Sequence, residues 1–134
     1  MKTAILCGKL FDSQNNQVLT DKVIIVEDKA ICDVIDRREF AENPDMEVID
    51  LSNLFVTPGL IDLHVHSGMN GEGNDRMGLL QHTVGELTLY SLKNVQQDLY
   101  AGFTTIRDCG SQAFVSVAIR DAINKGDFIG PRMF

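Results

Sequence analysis

The stretch Thr57-Pro58-Gly59-Leu60-Ile61-Asp62-Leu63-His64-Val65-His66-Ser67 constrains this chain more than any other. It predicts a short apolar strand entered through a Pro-Gly turn. Strand side chains alternate faces with a period of two, so Asp62, His64 and His66 share one face while Leu63 and Val65 take the other. A polar edge able to bind metal is thereby mounted on a strand whose opposite face can pack against helices. That is the pattern of a parallel barrel strand with a site at its C-terminal end.

A His-x-His pair alone is ambiguous, because strand histidines also bond to backbone or to water. Its surroundings add weight. The histidines of the chain are His64, His66 and His82, and the Ser67 to Gly78 stretch that follows the pair reads as a loop with four glycines. Strand-end loops of this kind are where binding and catalytic groups collect.

Downstream, Thr83-Val84-Gly85-Glu86 has the form of a capping box and starts a helix. Leu89, Leu92, Val95 and Leu99 recur at helical spacing, so 85–101 is expected to be one amphipathic helix stopped by Gly102. Phe103 to Asp108 reads as a second strand. Ser111 can cap a further helix whose stripe is Val115, Ala118, Ile119, Ala122 and Ile123, ended by Gly126. Arg132 to Phe134 then begins a third strand. Strand, helix, strand, helix, strand implies right-handed parallel crossovers.

Upstream, residues 3–56 read as short strands between turns. Ala4 to Cys7, Val23 to Val26 and Ile31 to Ile35 are apolar or β-branched runs, the last two flanking Glu27-Asp28-Lys29-Ala30 as a hairpin. Arg37 to Asp45 is a charged connector, after which 47–50 and 54–56 resume extended structure.

Three of these stretches carry a resemblance. Thr57 to His66 resembles the first-strand signature of the metal-dependent amidohydrolase superfamily. Ala101-Gly102-Phe103-Thr104-Thr105-Ile106-Arg107-Asp108 resembles the second-strand signature of the branch that includes imidazolonepropionase and the Xaa-Pro and Xaa-Arg dipeptidase-like enzymes. Arg120 to Gly126 followed by Gly130-Pro131-Arg132 fits the same branch, and the similarity covers essentially the whole chain. The hairpin departs from the family at Lys29, where a glycine is usual because a tight turn often needs positive φ.

The resemblance implies an α/β fold: an incomplete TIM-like (β/α)8 barrel, of which 57–134 are the first βα units, preceded in 1–56 by part of a small β-sandwich. A complete barrel takes about 250 residues, whereas this chain has 134. The expectation is therefore the N-terminal portion of an amidohydrolase, with its C-terminal part missing, cleaved off or supplied separately. In the family the remaining ligands come from later strands: a lysine, two more histidines and an aspartate. His64 and His66 would ligate one or two divalent metal ions, zinc first among them. The late-strand aspartate that shuttles the proton is absent, so no catalytic residue is expected in the chain.

The implied activity is hydrolysis of C–N bonds in a small amide, dipeptide or cyclic amide by a metal-activated water. Asp62 and Asp108 are candidates for orienting polar groups behind the metal ligands. Asp62 can equally be a carboxylate paired for structural reasons, and Asp108 with Arg107 reads first as a pair or network tying loop to barrel. Cys109 is expected to be a small buried residue, and His82 a surface or loop histidine. Two other readings stand beside the enzyme. One is a catalytically inactive fragment that serves folding or assembly through self-association of its sheet edges. The other is an all-β barrel of cupin type, which would want a glutamate closer to His66 than Glu72.

Composition bounds the partners. With 19 acidic against 12 basic residues the net charge is −7, which disfavours nucleic acid and anionic membrane surfaces. Cys7, Cys32 and Cys109 are odd in number and widely spaced, so reduced thiols in a cytoplasmic protein are expected. The apolar run at residues 4–7 is too short for a signal or spanning segment.

Overall fold

A computed structural model describes residues 2–69 and 82–134. Contacts divide the chain into two compact units, Met1–Pro58 and Gly59–Phe134.

The first unit is a four-stranded sheet of β1 (Lys2–Asp12), β2 (Gln17–Glu27), β3 (Ala30–Asp36) and β4 (Met46–Val56), in the order β3-β2-β1-β4. β1 and β2 are antiparallel, as are β2 and β3, while β4 runs parallel to β1. Period-two alternation puts apolar residues on both faces. Ala4, Leu6 and Val23 form one small core, against which Ile25, Ile35 and Phe40 pack. Cys7, Leu10 and Ile24 form the other, with Ile5, Leu19 and Val56. Burial raises the Cys7 thiol above its usual range.

The hairpin is present, and its turn does without a glycine. Positive φ falls on Asp28 (54°) rather than on Lys29. Aspartate tolerates the left-handed region better than most residues, so the missing glycine is not needed. A register irregularity follows, with Ile25 opposite Asp33 but Val26 opposite Ile31.

A second irregularity separates Cys7 from Lys9 where β1 meets β4: Cys7 pairs with Leu51 and Lys9 with Phe55. Gly8 lies against this swelling, and a Cβ there would stand 1.9 Å from the Ser52 carbonyl oxygen. Only glycine lets the two backbones approach so closely.

The second unit is β5 (Leu60–Val65), α1 (Val84–Tyr100), β6 (Phe103–Asp108), α2 (Val115–Lys125) and β7 (Arg132–Met133). Its sheet runs β5-β6-β7, all parallel. An α/β arrangement of this kind leaves no place for the cupin reading. β5 starts where Gly59 abuts Thr104, whose Oγ1 would be 2.1 Å from an added Cβ. One core of Leu87, Val95, Ile106, Val115, Ile119 and Met133 joins helices to sheet. Each such burial contributes about 1.5–3 kcal/mol.

α1 opens with the expected capping box, Thr83 accepting from the Glu86 amide while Glu86 accepts from the Thr83 amide. Its buried stripe is Leu87, Ser91 and Val95 with Leu92 beside it. Leu89, expected in that stripe, is 70% exposed. Ala118 is likewise exposed and lies off the buried face of α2, which is made by Val115 and Ile119. α2 ends at Gly126, with the Asp127 amide donating to Ala122.

Ser111 is not the residue from which α2 departs. Gln112–Phe114 form a short 3-10 turn, and Ala113 (φ 51°) and Phe114 (φ 58°) both sit in the left-handed region. Ser111 still serves the helix start across this kink, its Oγ accepting the Ser116 amide at 3.0 Å.

Candidate functional site

β5 and β6 do not pair evenly. Asp62 stands opposite Ile106 and Val65 opposite Asp108, so β5 carries one residue more than β6 over that interval. The extra residue makes a bulge, a device that re-aims a side chain, and His64 lies within it. The bulge is tied on both sides. Asp62 Oδ1 accepts the His64 amide at 2.9 Å, and the Leu63 carbonyl accepts from Arg107 Nε at 2.6 Å. Cys109 Sγ also approaches that carbonyl at 3.7 Å.

His64 and His66 come together at the end of β5, with ring centres 5.3 Å apart and planes at 72°. Two imidazoles on one tetrahedral ion hold their centres about 5 Å apart, since each metal–nitrogen bond is about 2 Å. The spacing of the two rings matches that separation. Among the described residues no group of three His, Cys, Asp or Glu is placed to hold a metal.

His66 has its own anchor. Its Nδ1 lies 3.1 Å from the Gly110 carbonyl oxygen. Asp108, at the end of β6, accepts the Gly110 amide at 2.8 Å on one oxygen. Its other oxygen takes the Ser67 amide at 3.2 Å and the Ser67 hydroxyl. From α1, Asn94 Nδ2 donates to the carbonyls of Ser67 and Met69. A cavity of about 280 Å³ opens beside this cluster, lined by His66, Gly68, Met69, Gly110, Ser111 and Gln112.

Arg107 and Asp108 are not bonded to each other; each holds backbone, Arg107 the Leu63 carbonyl and Asp108 the Gly110 and Ser67 amides, which is a network tying loop to strand rather than a pair. Cys109, expected to be buried, is exposed, because it lies past the end of β6 with its sulfur turned to the bulge carbonyl. His82 is exposed and stacks on Tyr90 at 6.1 Å. Of the glycine-rich loop, Gly71 to Gly78, with Glu72, lie outside the described residues. Sequence reasoning missed Ser67, Asn94 and the Gly110 carbonyl. Ser67 was within reach, since it directly follows His66 and parallel pairing brings it beside Asp108. Asn94 carried no such signal.

Asp98 of α1 has its carboxyl raised, mainly by burial and further by the charge of Asp62. The Asp62 carboxylate is thus within electrostatic reach of the helix as well as bonded to its own strand.

A parallel β-α-β-α-β unit with paired histidines at the end of its first strand defines the class: an α/β protein with a candidate metal edge at the strand C-termini. The family follows. The model of the amidohydrolase family matches residues 55–134, and the chain belongs to that family. It is 34% identical over 83 residues to an imidazolonepropionase of Picrophilus torridus, a match covering 61% of this chain and 20% of that one. It is 33% identical over 81 residues to a 5-methylthioadenosine/S-adenosylhomocysteine deaminase of Bacillus cytotoxicus, covering 58% of this chain and 19% of that one. The crystal structure of a Xaa-Pro dipeptidase with bound methionine superposes with a TM-score of 0.86 at 31% identity, over 100% of this chain and 32% of the other. The chain thus spans about a fifth of these curated relatives and about a third of that structure.

Proposed function

We propose that this chain supplies the first ligands of the metal centre of a hydrolase that cleaves C–N bonds in small amides, dipeptides or cyclic amides. The observation that carries this is the imidazole pair of His64 and His66, 5.3 Å apart on a strand end, in a chain that belongs to the amidohydrolase family. In this reading 57–134 are the opening βα units of a (β/α)8 barrel, and 1–56 are part of a composite β-sandwich. Zinc is the metal expected for two imidazoles with oxygen ligands added. A cytoplasmic setting belongs to the same reading.

The residues of the chain bind and orient. His64 and His66 would hold the ion, Asp62 would fix the strand at His64, and Asp108 would fix the loop behind His66. Bound there, a divalent ion supplies Lewis acidity toward a scissile carbonyl and acidifies water at neutral pH. The remaining ligands and the group that moves the proton would come from residues outside those described. The second reading is that this stretch acts only in folding and assembly through its sheet edges.

The test is hydrolysis of a panel of dipeptides and cyclic amides by the full-length protein, before and after chelation. The expected result is activity that is lost on chelation, regained with zinc, and absent in His64→Ala and His66→Ala. Turnover that survives chelation and both substitutions would contradict it.

A further inference from the structure

Asp108 touches neither histidine, yet both of its oxygens are committed to the neighbours of one of them. One oxygen holds the amide of Gly110, whose carbonyl faces His66 Nδ1 at 3.1 Å. The other holds the amide and hydroxyl of Ser67, the residue that follows His66 in the chain. A carbonyl oxygen can only accept, so the contact with Gly110 requires His66 to carry its proton on Nδ1. The imidazole then presents Nε2 with a free lone pair. The second nitrogen of a metal-binding histidine is commonly fixed in this way, and its partner sets tautomer and ring orientation.

We propose that Asp108 is the positioning residue for His66. Its carboxylate clasps Ser67 and Gly110 together across the ends of β5 and β6, aims the Gly110 carbonyl at Nδ1, and so reserves Nε2 of His66 for a divalent cation. Asn94 completes the clasp from the helix side by holding the carbonyls of Ser67 and Met69 at 2.8 and 3.0 Å. His64 has no part in it, being set by the bulge through Asp62 and Arg107. The bonds at the bulge hold the backbone of His64, whereas the clasp reaches the ring of His66 through Gly110.

This inference rests on the proposed metal site, but the first readout of its test does not depend on metal. Full-length protein with 15N-labelled histidine, prepared free of metal, reports the tautomer of each ring by long-range proton–nitrogen correlation. Wild type is expected to show His66 protonated on Nδ1. Asp108→Asn keeps the shape but replaces one accepting oxygen by a donor, and is expected to mix the two His66 tautomers while leaving His64 unchanged. Zinc affinity, measured by competition with a chelator, is expected to fall about 10- to 100-fold in the same variant. Ser67→Ala, which removes one of the three donors, is expected to show a smaller change in the same direction. A wild-type His66 protonated on Nε2, or an Asp108→Asn spectrum in which His66 is unchanged or His64 moves equally, would overturn the inference. If the tautomers behave as expected but no form binds zinc, the positioning stands and the proposed function fails.

Discussion

Each unit has a strand bulge at which an aspartate accepts the amide two residues on. In β4, Asp50 Oδ1 accepts the Ser52 amide at 2.9 Å where the pairing with β1 swells. In β5, Asp62 Oδ1 accepts the His64 amide at 2.9 Å where the pairing with β6 swells. What faces each swelling differs. Opposite the first is Gly8, with no side chain, and the backbones close to contact. Opposite the second, Arg107 and Cys109 reach the freed carbonyl of Leu63. One bulge is closed by bringing backbones together; the other is held open by side chains, and a histidine is displayed on it. At these two bulges the aspartate bond is the same, and the facing strand decides whether the bulge serves packing or a site.

The comparison can be broken most severely at Gly8. Gly8→Val would drive a side chain into the Ser52 carbonyl, and a loss of about 3 kcal/mol or more is expected in chemical denaturation, with zinc affinity per folded molecule unchanged. Arg107→Ala should be milder for stability, about 1 kcal/mol, since the Leu63 carbonyl regains water at an exposed site. It should, however, weaken zinc binding, because the His64 bulge loses a tie. Asp50→Ala and Asp62→Ala each remove one local bond and are expected to cost less stability than Arg107→Ala in the same denaturation. Only Asp62→Ala should alter zinc affinity, and equal effects of the two would erase the distinction.

The smallest effect is a pH dependence. The Ser52 hydroxyl and then its amide hold Asp50 below its ordinary 3.8. A folded-state pKa that is depressed stabilises above the unfolded value and ceases to do so as pH falls through the folded one. The difference in melting temperature between wild type and Asp50→Asn should therefore be steady at neutral pH and shrink below the usual aspartate range. A difference that grows on acidification would reverse that sign.

Much of the second unit was legible because its signals are local. Phe103–Asp108 is a strand from end to end as read, and the Thr83 to Glu86 capping box is formed as its spacing requires. Local signals fail where a partner decides. Ser91, fully buried, hides the true stripe of α1, because a serine in the core breaks the apolar period and Leu89 appears to continue it. The left-handed pair Ala113 and Phe114 has no glycine or asparagine to announce it, so the sequence sets Ser111 at the helix start, whereas Gln112–Phe114 intervene. At the site, the histidine pair was visible from alternation alone. The bulge was not, since it exists only in the mismatch between β5 and β6.

The central claim is that the end of β5 holds a divalent metal through both imidazoles, and metal content of the full-length protein tests it most directly. After growth with zinc and removal of loosely held ions, wild type is expected to retain about one to two equivalents, and His64→Ala and His66→Ala a small fraction of that while still folded. Equal metal content in wild type and both variants would contradict the account.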